Sequence, residues 1–283
     1  LILPKADLHI HTTCSDGRLE PKEAVEVAKD RNLHALAITD HDTIEGYIRA
    51  KDRAEELEIE LIPGVEITSS FNGNEAHILA YYFDFESEAF THLLLKQRVG
   101  RRDRIKGILA TINSHGVEID YEEVRAEANG ANIGRPHVAQ LLIKKGYVRN
   151  YFEAFSRYLS TEQLGGIDHQ YPDYKEVISS IKAAGGAAIL AHPGKLYTNS
   201  DIEQFIEAGI DGLECIHPSH NYELQKKYSE IVSQRALLMT GGSDYHGSKE
   251  RAYVHIGTVS IAAKYVEKMK RMTNQRKQIV ETN

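Results

Sequence analysis

Lys5-Ala6-Asp7-Leu8-His9-Ile10-His11-Thr12-Thr13-Cys14-Ser15-Asp16-Gly17 carries the pattern on which the fold turns. Lys5 to His11 alternates apolar and polar side chains, as a strand does, and Pro21 then fits the first turn of a helix whose apolar face is Ala24, Val25, Val27 and Ala28. The unit repeats outward from there. Leu36 to Thr39 is a second predicted strand, Glu45 to Leu57 a helix and Leu61 to Thr68 a third strand. Asn72-Gly73-Asn74 reads as a hairpin turn that returns the chain through Ala76 to Tyr82, because Asn and Gly tolerate positive φ. Alternation of this kind marks an α/β chain with a parallel sheet or barrel.

From about 85 to 166 the strands stop. Helical stretches at Phe90 to Ser114, Tyr121 to Ala128, Pro136 to Lys145 and Tyr151 to Tyr158 suggest a helical insertion between two barrel segments, 1–84 and 167–283. The α/β pattern resumes with a helix from Tyr174 to Ala184, a strand Ala187 to Ala191, a helix Asp201 to Ala208 and a strand Gly212 to Ile216. A helix Tyr222 to Ser233, a strand Leu237 to Thr240, a late strand His255 to Val259 and a closing helix complete it. The basic stretch Lys264 to Lys277 reads as a solvated helix face.

Composition excludes several classes. The 283 residues carry a formal charge of -7, 41% hydrophobic and 27% charged residues and two cysteines. Such a chain can bury a core without disulfides, and Cys14 and Cys215 are too few for a disulfide framework, so a reducing, cytoplasmic location is expected. No apolar run approaches the roughly 20 residues of a membrane span, and no signal-peptide pattern is visible. The acidic balance disfavours charge-driven coating of duplex DNA but leaves room for a local phosphate pocket. No GxGxxG, P-loop or GxSxG motif is present.

The 14 histidines concentrate at predicted strand ends, where barrel folds build their sites. His9 and His11, two apart on a strand, project to one face and can grip one ion. Asp16, His41, Glu66, His77, His192, Asp244 and His246 occupy comparable positions. Any one of them could cap a turn or pack in a core, whereas nine together form a donor set. Six imidazoles and three carboxylates suit Zn, Mn or Fe, and exceed one tetrahedral shell.

The ordered phrases Leu8-His9-Ile10-His11-Thr12-Thr13-Cys14-Ser15-Asp16-Gly17, Thr39-Asp40-His41, Gly64-Val65-Glu66, Gly134-Arg135-Pro136-His137, Leu190-Ala191-His192-Pro193-Gly194, His217-Pro218-Ser219-His220 and Gly241-Gly242-Ser243-Asp244-Tyr245-His246-Gly247 resemble the polymerase and histidinol phosphatase (PHP) family, in its small metal-dependent phosphoesterase branch. The resemblance covers nearly the whole chain. It implies a TIM-barrel-like, distorted (β/α)7 barrel with two to three divalent ions, Mn, Zn, Fe or Mg, at its carboxyl face. His9, His11, Glu66 and Asp244 would hold the first ion, Glu66, His77 and His192 the second, and Asp16, His41 and His246 the third. It also implies hydrolysis of nucleotide phosphate esters, by removal of the 3'-phosphate of 3',5'-bisphosphonucleotides or by 5'-3' trimming of short RNA.

Electrostatics agree with an anionic substrate. Three divalent ions on three carboxylates and six neutral imidazoles leave a net positive cleft, and such ions polarise a phosphate ester and acidify a water. Arg135 is the expected phosphate clamp, since a guanidinium pairs with phosphate through two parallel hydrogen bonds, and the insertion would form a lid. Lys195 could reach the same anion. His217 and His220 could protonate the leaving oxygen or contact phosphate, alongside Asp244 as a catalytic carboxylate, and Asp40 would orient a ligand histidine. His34, His92, His115, His169 and His255 have no supporting neighbours and read as structural or surface. Alternatives are a histidinol-phosphate-type phosphatase, a noncatalytic PHP module, which should lack ligands, and an amidohydrolase, which should have a bridging lysine.

Overall fold

In the computed structural model, which describes residues 4–160, 163–164, 171–247 and 254–282, β-α units wrap around a sheet of eight strands. The order is β1 (Lys5–Ile10), α1 (Pro21–Asp30), β2 (Ala35–Ile38), α2 (Glu45–Glu56), β3 (Glu60–Phe71) and β4 (Asn74–Tyr81). Then come α3 (Glu88–Ser114), α4 (Tyr121–Ala128), α5 (Arg135–Lys144) and α6 (Tyr151–Ala154), which runs into a π-helical turn, Phe155–Leu159. The chain returns through α7 (Tyr174–Ala183), β5 (Ala187–Leu190), α8 (Asn199–Glu207), β6 (Gly212–Ile216), α9 (Tyr222–Gln234), β7 (Leu238–Gly241), β8 (Ile261–Ala262) and α10 (Ala263–Thr282). No helix among the described residues is long and apolar enough to cross a membrane.

The sheet order is β7-β6-β5-β4-β3-β2-β1-β8, with β4 antiparallel to both neighbours and β8 antiparallel to β1. The loop after β7 nearly closes the barrel. Asp244 N donates to His9 O at 2.8 Å and His11 N to Tyr245 O at 2.9 Å. The expected hairpin forms, with Asn72 and Gly73 in left-handed conformations at φ 49° and 77°. Because β4 runs backward, its first residues share the rim reached by the ends of the parallel strands. Its last residues lie at the opposite end, and the chain must climb back. The 27 residues of α3 do so, spanning about 40 Å at 1.5 Å each. Phe90 and Leu93 pack in the barrel's outer layer, while Ile105, Ile108, Leu109 and Ile112 belong to a separate apolar core shared with α4 and α5.

Within the barrel, Ala6, Leu8, Ala37, Ile62, Leu79, Tyr81 and Ile189 form an apolar interior, joined by Val266 and Met269 of α10. Tyr81 crosses it to donate to Leu8 O at 2.6 Å. An uninterrupted β1 would turn His9 and His11 away from this interior, onto the face of Asp7. The register between β1 and β2 shifts between Asp7 and Ile10, so Ile10 packs outward with α1 and α2, and His9 and His11 face inward above Leu8.

The late strand expected at His255 to Val259 does not form. That segment is turn, and the pairing with β1 falls to Ile261 and Ala262. The reason is Asp7, fully buried on the outer face of β1. Its carboxylate accepts from Gly257 N at 2.7 Å and Ser243 N at 2.9 Å, which ties up the backbone a strand would need. Gly242 lies against the same strand, where an added β-carbon would collide with the His9 nitrogen and Cβ. Gly242→Ala is therefore expected to destabilise the fold by about 3 kcal/mol, since a close-packed backbone cannot yield that space. Scanning calorimetry should show Tm lowered by about 6–12 °C, and an unchanged Tm would refute this packing.

Candidate metal centre

Nine expected donors meet at the barrel mouth. Ligand atoms of His11, Asp16, His41 and His246 lie within 4.8 Å of one another, as do those of His9, His11 and Asp244, of His9, Glu66 and His192, and of His41, Glu66 and His77. Each reaches the mouth for a local reason. His9 and His11 end the bulged β1, Glu66 sits on the inner face of β3, and His77 enters near the start of the antiparallel β4. His192 and Asp244 hold left-handed φ values of 26° and 49° in the turns after β5 and β7, which bend their side chains over the cleft.

Glu66 is the hub. Its Oε1 is 2.9 Å from His77 Nδ1 and 2.8 Å from His192 Nε2, and its Oε2 lies 3.2 Å from both His11 Nε2 and His41 Nδ1 and 3.4 Å from His9 Nε2. Burial alone would raise the Glu66 pKa, but His77, His41 and His9 outweigh it and hold the carboxyl well below its usual range. Burial would likewise make His11 and His77 less basic. Asp244, Glu66 and Asp16 around His11, and Glu66 and Glu75 around His77, instead raise both to about 10. The pocket's field calls for cations among the rings.

Hydrogen-bond direction shows that metal ions fit. His9 Nδ1 donates to Glu214 Oε1 at 3.0 Å, His77 Nε2 to Glu75 Oε1 at 3.0 Å and His246 Nδ1 to Asp244 O at 2.9 Å. Each bond supports the tautomer that, once an ion replaces the proton on the other nitrogen, turns that nitrogen's lone pair to the cluster, the usual support for a ligating histidine. His9 Nε2 and His11 Nε2 face each other at 3.2 Å, around a point that needs a proton or a cation. Buried His41 Nδ1 lacks a hydrogen-bond partner among the described residues, although Glu66 lies 3.2 Å away. Imidazole and carboxylate donors without thiolates match borderline to hard divalent ions.

Several supporting residues escape the sequence reading. Glu214, fully buried on β6, also accepts from His192 N at 2.7 Å, and Glu75 pairs with Arg104 at 2.9 Å and Arg135 at 3.2 Å. A lone acid within the apolar β6 run was the available signal for Glu214; Glu75, in a polar hairpin, gave none. Asp42 pairs with the nearly buried Arg101 at 2.5 Å, joining the loop after β2 to α3.

Arg135 does reach the mouth. Together with Asp16, His41, Glu75, His77, Arg101, Arg104, Phe155 and Tyr171 it lines a cavity of about 170 Å³, its guanidinium 5.7 Å from the Phe155 ring centre. His217 also reaches it. Ser219 N donates to His217 Nδ1 at 3.1 Å, so the neutral ring carries its proton on Nε2, towards Asp244.

Three expectations need correction. Both nitrogens of His220 are committed to the fold, Nδ1 donating to Cys215 O at 2.9 Å and Nε2 accepting from Gly194 N at 3.0 Å, so this histidine staples the turn after β5 and has no proton to deliver. Lys195 is exposed on that turn, and no contact among the described residues joins it to the cluster. Asp40 orients no histidine directly. It accepts from Thr12 N at 2.7 Å, Thr12 Oγ1 at 2.6 Å and Ser15 Oγ at 2.6 Å, and so shapes the loop that bears Asp16. His34, His92, His115 and His255 are exposed, and His169 lies outside the described residues.

Known proteins resemble this chain in sequence and fold. A family model described as the PHP domain matches residues 7–283. The chain is 35% identical to a 5'-3' exoribonuclease of Haemophilus influenzae over 248 residues, covering 86% of this chain and 90% of that one. It is 30% identical to a 3',5'-nucleoside bisphosphate phosphatase of Chromobacterium violaceum, over 86% of this chain and 88% of that one. A phosphoribosyl 1,2-cyclic phosphate 1,2-diphosphodiesterase of Eggerthella lenta is also 30% identical, over 89% and 97%. Among solved structures, a Bifidobacterium adolescentis protein provisionally described as a metal-dependent phosphoesterase superposes with a TM-score of 0.87 at 31% identity, covering 94% of this chain and 96% of that one.

Proposed function

From the premise that the chain belongs to the PHP family of metal-dependent phosphoesterases, we propose that it hydrolyses a nucleotide phosphate ester flanked by a second phosphate, either the 3'-phosphate of a 3',5'-bisphosphonucleotide or the terminal linkage of a short RNA. One observation carries this reading: Arg135 and Arg104 converge on Glu75 beside the donor cluster, in a cavity of about 170 Å³. The named relatives act on different molecules, but each name describes a phosphate ester with phosphate nearby.

His9, His11, Asp16, His41, Glu66, His77, His192, Asp244 and His246 would hold two to three divalent ions. Bound there, such ions supply Lewis acidity to the phosphoryl oxygens and make a water acidic enough to be the nucleophile at neutral pH. The chain's own residues do the rest. Glu214 and Glu75 keep the His9 and His77 rings in the ligating tautomer. Arg135 exchanges Glu75 for the anchoring phosphate and fixes the scissile ester over the cluster, so that orientation is settled before reaction. His217 offers its Nε2 proton to the leaving oxygen. Helices α3 to α6 act as a lid domain, taken as 85–166, that brings Arg104 and Arg135 to the mouth and limits water.

The test is phosphate release from 3',5'-bisphosphoadenosine, phosphoserine and histidinol phosphate with added Mn. The first should be turned over with kcat/KM at least tenfold above the others. Turnover of a dihydroorotate-like cyclic amide with none of the three would overturn the reading. Arg135→Ala should lower kcat/KM for the bisphosphonucleotide by about 10- to 100-fold, the loss of about 1.5–3 kcal/mol of charge-assisted hydrogen bonding, at unchanged metal content. An unaltered KM and kcat would remove the clamp from the scheme.

A further inference from the structure

Helix α3 turns a second basic ridge away from the catalytic cavity. Arg98, Arg102 and Lys106 recur every four residues on its exposed side, a stripe of about 12 Å, and Arg125 of α4 faces them. Between the helices lies a groove of about 720 Å³ that also includes Tyr121 and Asn132. Its charged lining is four cations against the single Glu122, which pairs with Arg125 at 3.3 Å. Among the described residues no carboxylate pairs with Arg98, Arg102 or Lys106. Elsewhere on the surface Arg49, Lys144 and Arg157 each have one, at 2.8, 2.6 and 2.9 Å. A chain of net charge -7 that leaves three cations unanswered in one groove has concentrated its positive potential there.

The groove adjoins the catalytic mouth. Ile133 lines both cavities, and Asn132 donates from Nδ2 to His41 O at 2.8 Å. Lys106 Nζ sits 5.3 Å from the Tyr121 ring centre, so an aromatic face lies among the cations. A charged track with an aromatic platform is the construction that holds single-stranded nucleic acid without regard to sequence. A stripe of about 12 Å matches on the order of three stacked nucleotides at about 3.4 Å each.

We propose that the α3–α4 groove binds the backbone of a single-stranded oligonucleotide whose terminal nucleotide lies at the metal centre, which makes oligonucleotides rather than mononucleotides the preferred substrates. This rests on the phosphoesterase reading above. It assigns Arg98, Arg102, Lys106 and Tyr121 to substrate binding away from the reacting atoms.

The experiment compares the wild-type protein with the triple variant Arg98→Gln, Arg102→Gln, Lys106→Gln, whose exposed positions leave the fold intact. Fluorescence anisotropy of 3'-labelled RNA analogues of one to five nucleotides with non-hydrolysable methylenephosphonate linkages is read on the Mn-loaded protein, so that binding is measured apart from turnover. Affinity of the wild type should rise at least tenfold between one and four nucleotides, and the variant should lose that gain. Its salt dependence should flatten by about two in log–log slope, from about 0.7 per phosphate contact on a single strand. Turnover of 3',5'-bisphosphoadenosine by the Mn-loaded variant should equal that of the wild type. A wild-type affinity independent of length, or a variant that keeps the gain, overturns the groove while leaving the phosphoesterase reading in place. Displacement of the RNA by polyglutamate of equal charge at equal concentration also overturns it, because the groove would then read charge alone. Absence of turnover of every phosphate ester, with length-dependent binding intact, strikes the catalytic reading and spares the groove.

Discussion

Glu66→Gln should remove at least one metal ion per chain and lower kcat/KM on 3',5'-bisphosphoadenosine by about 10³-fold or more. The size of the effect follows from position. Glu66 is within 3.4 Å of five imidazoles, two of them facing its Oε1 and three its Oε2, so one side chain serves more than one candidate ion. Glutamine keeps the shape but removes the negative charge and replaces one oxygen with an NH₂ group that cannot ligate. Several kcal/mol of charge stabilisation by an ion then disappear, and each 1.36 kcal/mol is tenfold in rate. Element-resolved spectrometry of the purified variant is the direct measurement. Wild-type stoichiometry with wild-type rate would mean that Glu66 is a buried structural acid and that the donor set has been misread.

Removing the ions should unsettle the whole barrel mouth as well as stop the reaction. Two ions present at a hundred times their Kd stabilise the folded state by about 5 kcal/mol together, and their chelation should lower Tm by about 10 °C or more. Without them Asp16, Glu66 and Asp244 are left clustered at the mouth with imidazoles as their nearest partners. Activity and Tm should return together when Mn is added back. A chelated protein that melts where the loaded one does would show that ion binding and folding are not linked here. The Gly242→Ala variant separates the two causes, since its stability loss should persist at saturating metal.

Much of this was legible because the relevant signals are local. Strand and helix alternated in apolar period, and α4 starts at Tyr121 where Asp120 caps it through Glu123 N and ends at Ala128 where Asn129 turns left-handed. The nine donors could be gathered from the sequence since each lies on a predicted strand or in the short segment that follows one. What could not be read depends on contacts between distant segments. The face of His9 and His11 is decided by a bulge against β2, the fate of His255 to Val259 by a carboxylate at position 7, and the idleness of His220 by an amide at Gly194. Glu214 and Glu75 support ligands 205 and 2 residues away, and neither distance is a recognisable spacing.

The seam between β1 and the loop after β7 has a consequence in time. His9 and Asp244 are joined by a backbone hydrogen bond across nearly the full length of the chain, and Asp16 meets His246 across the same gap. While a ribosome is still delivering the last third of the sequence, the opening strand has no partner there and the ligand sets are incomplete. Assembly across so long a separation is slow and comes late. A nascent polypeptide that has not yet emerged as far as Asp244 and His246 therefore lacks part of its donor set, however much of the barrel has already formed.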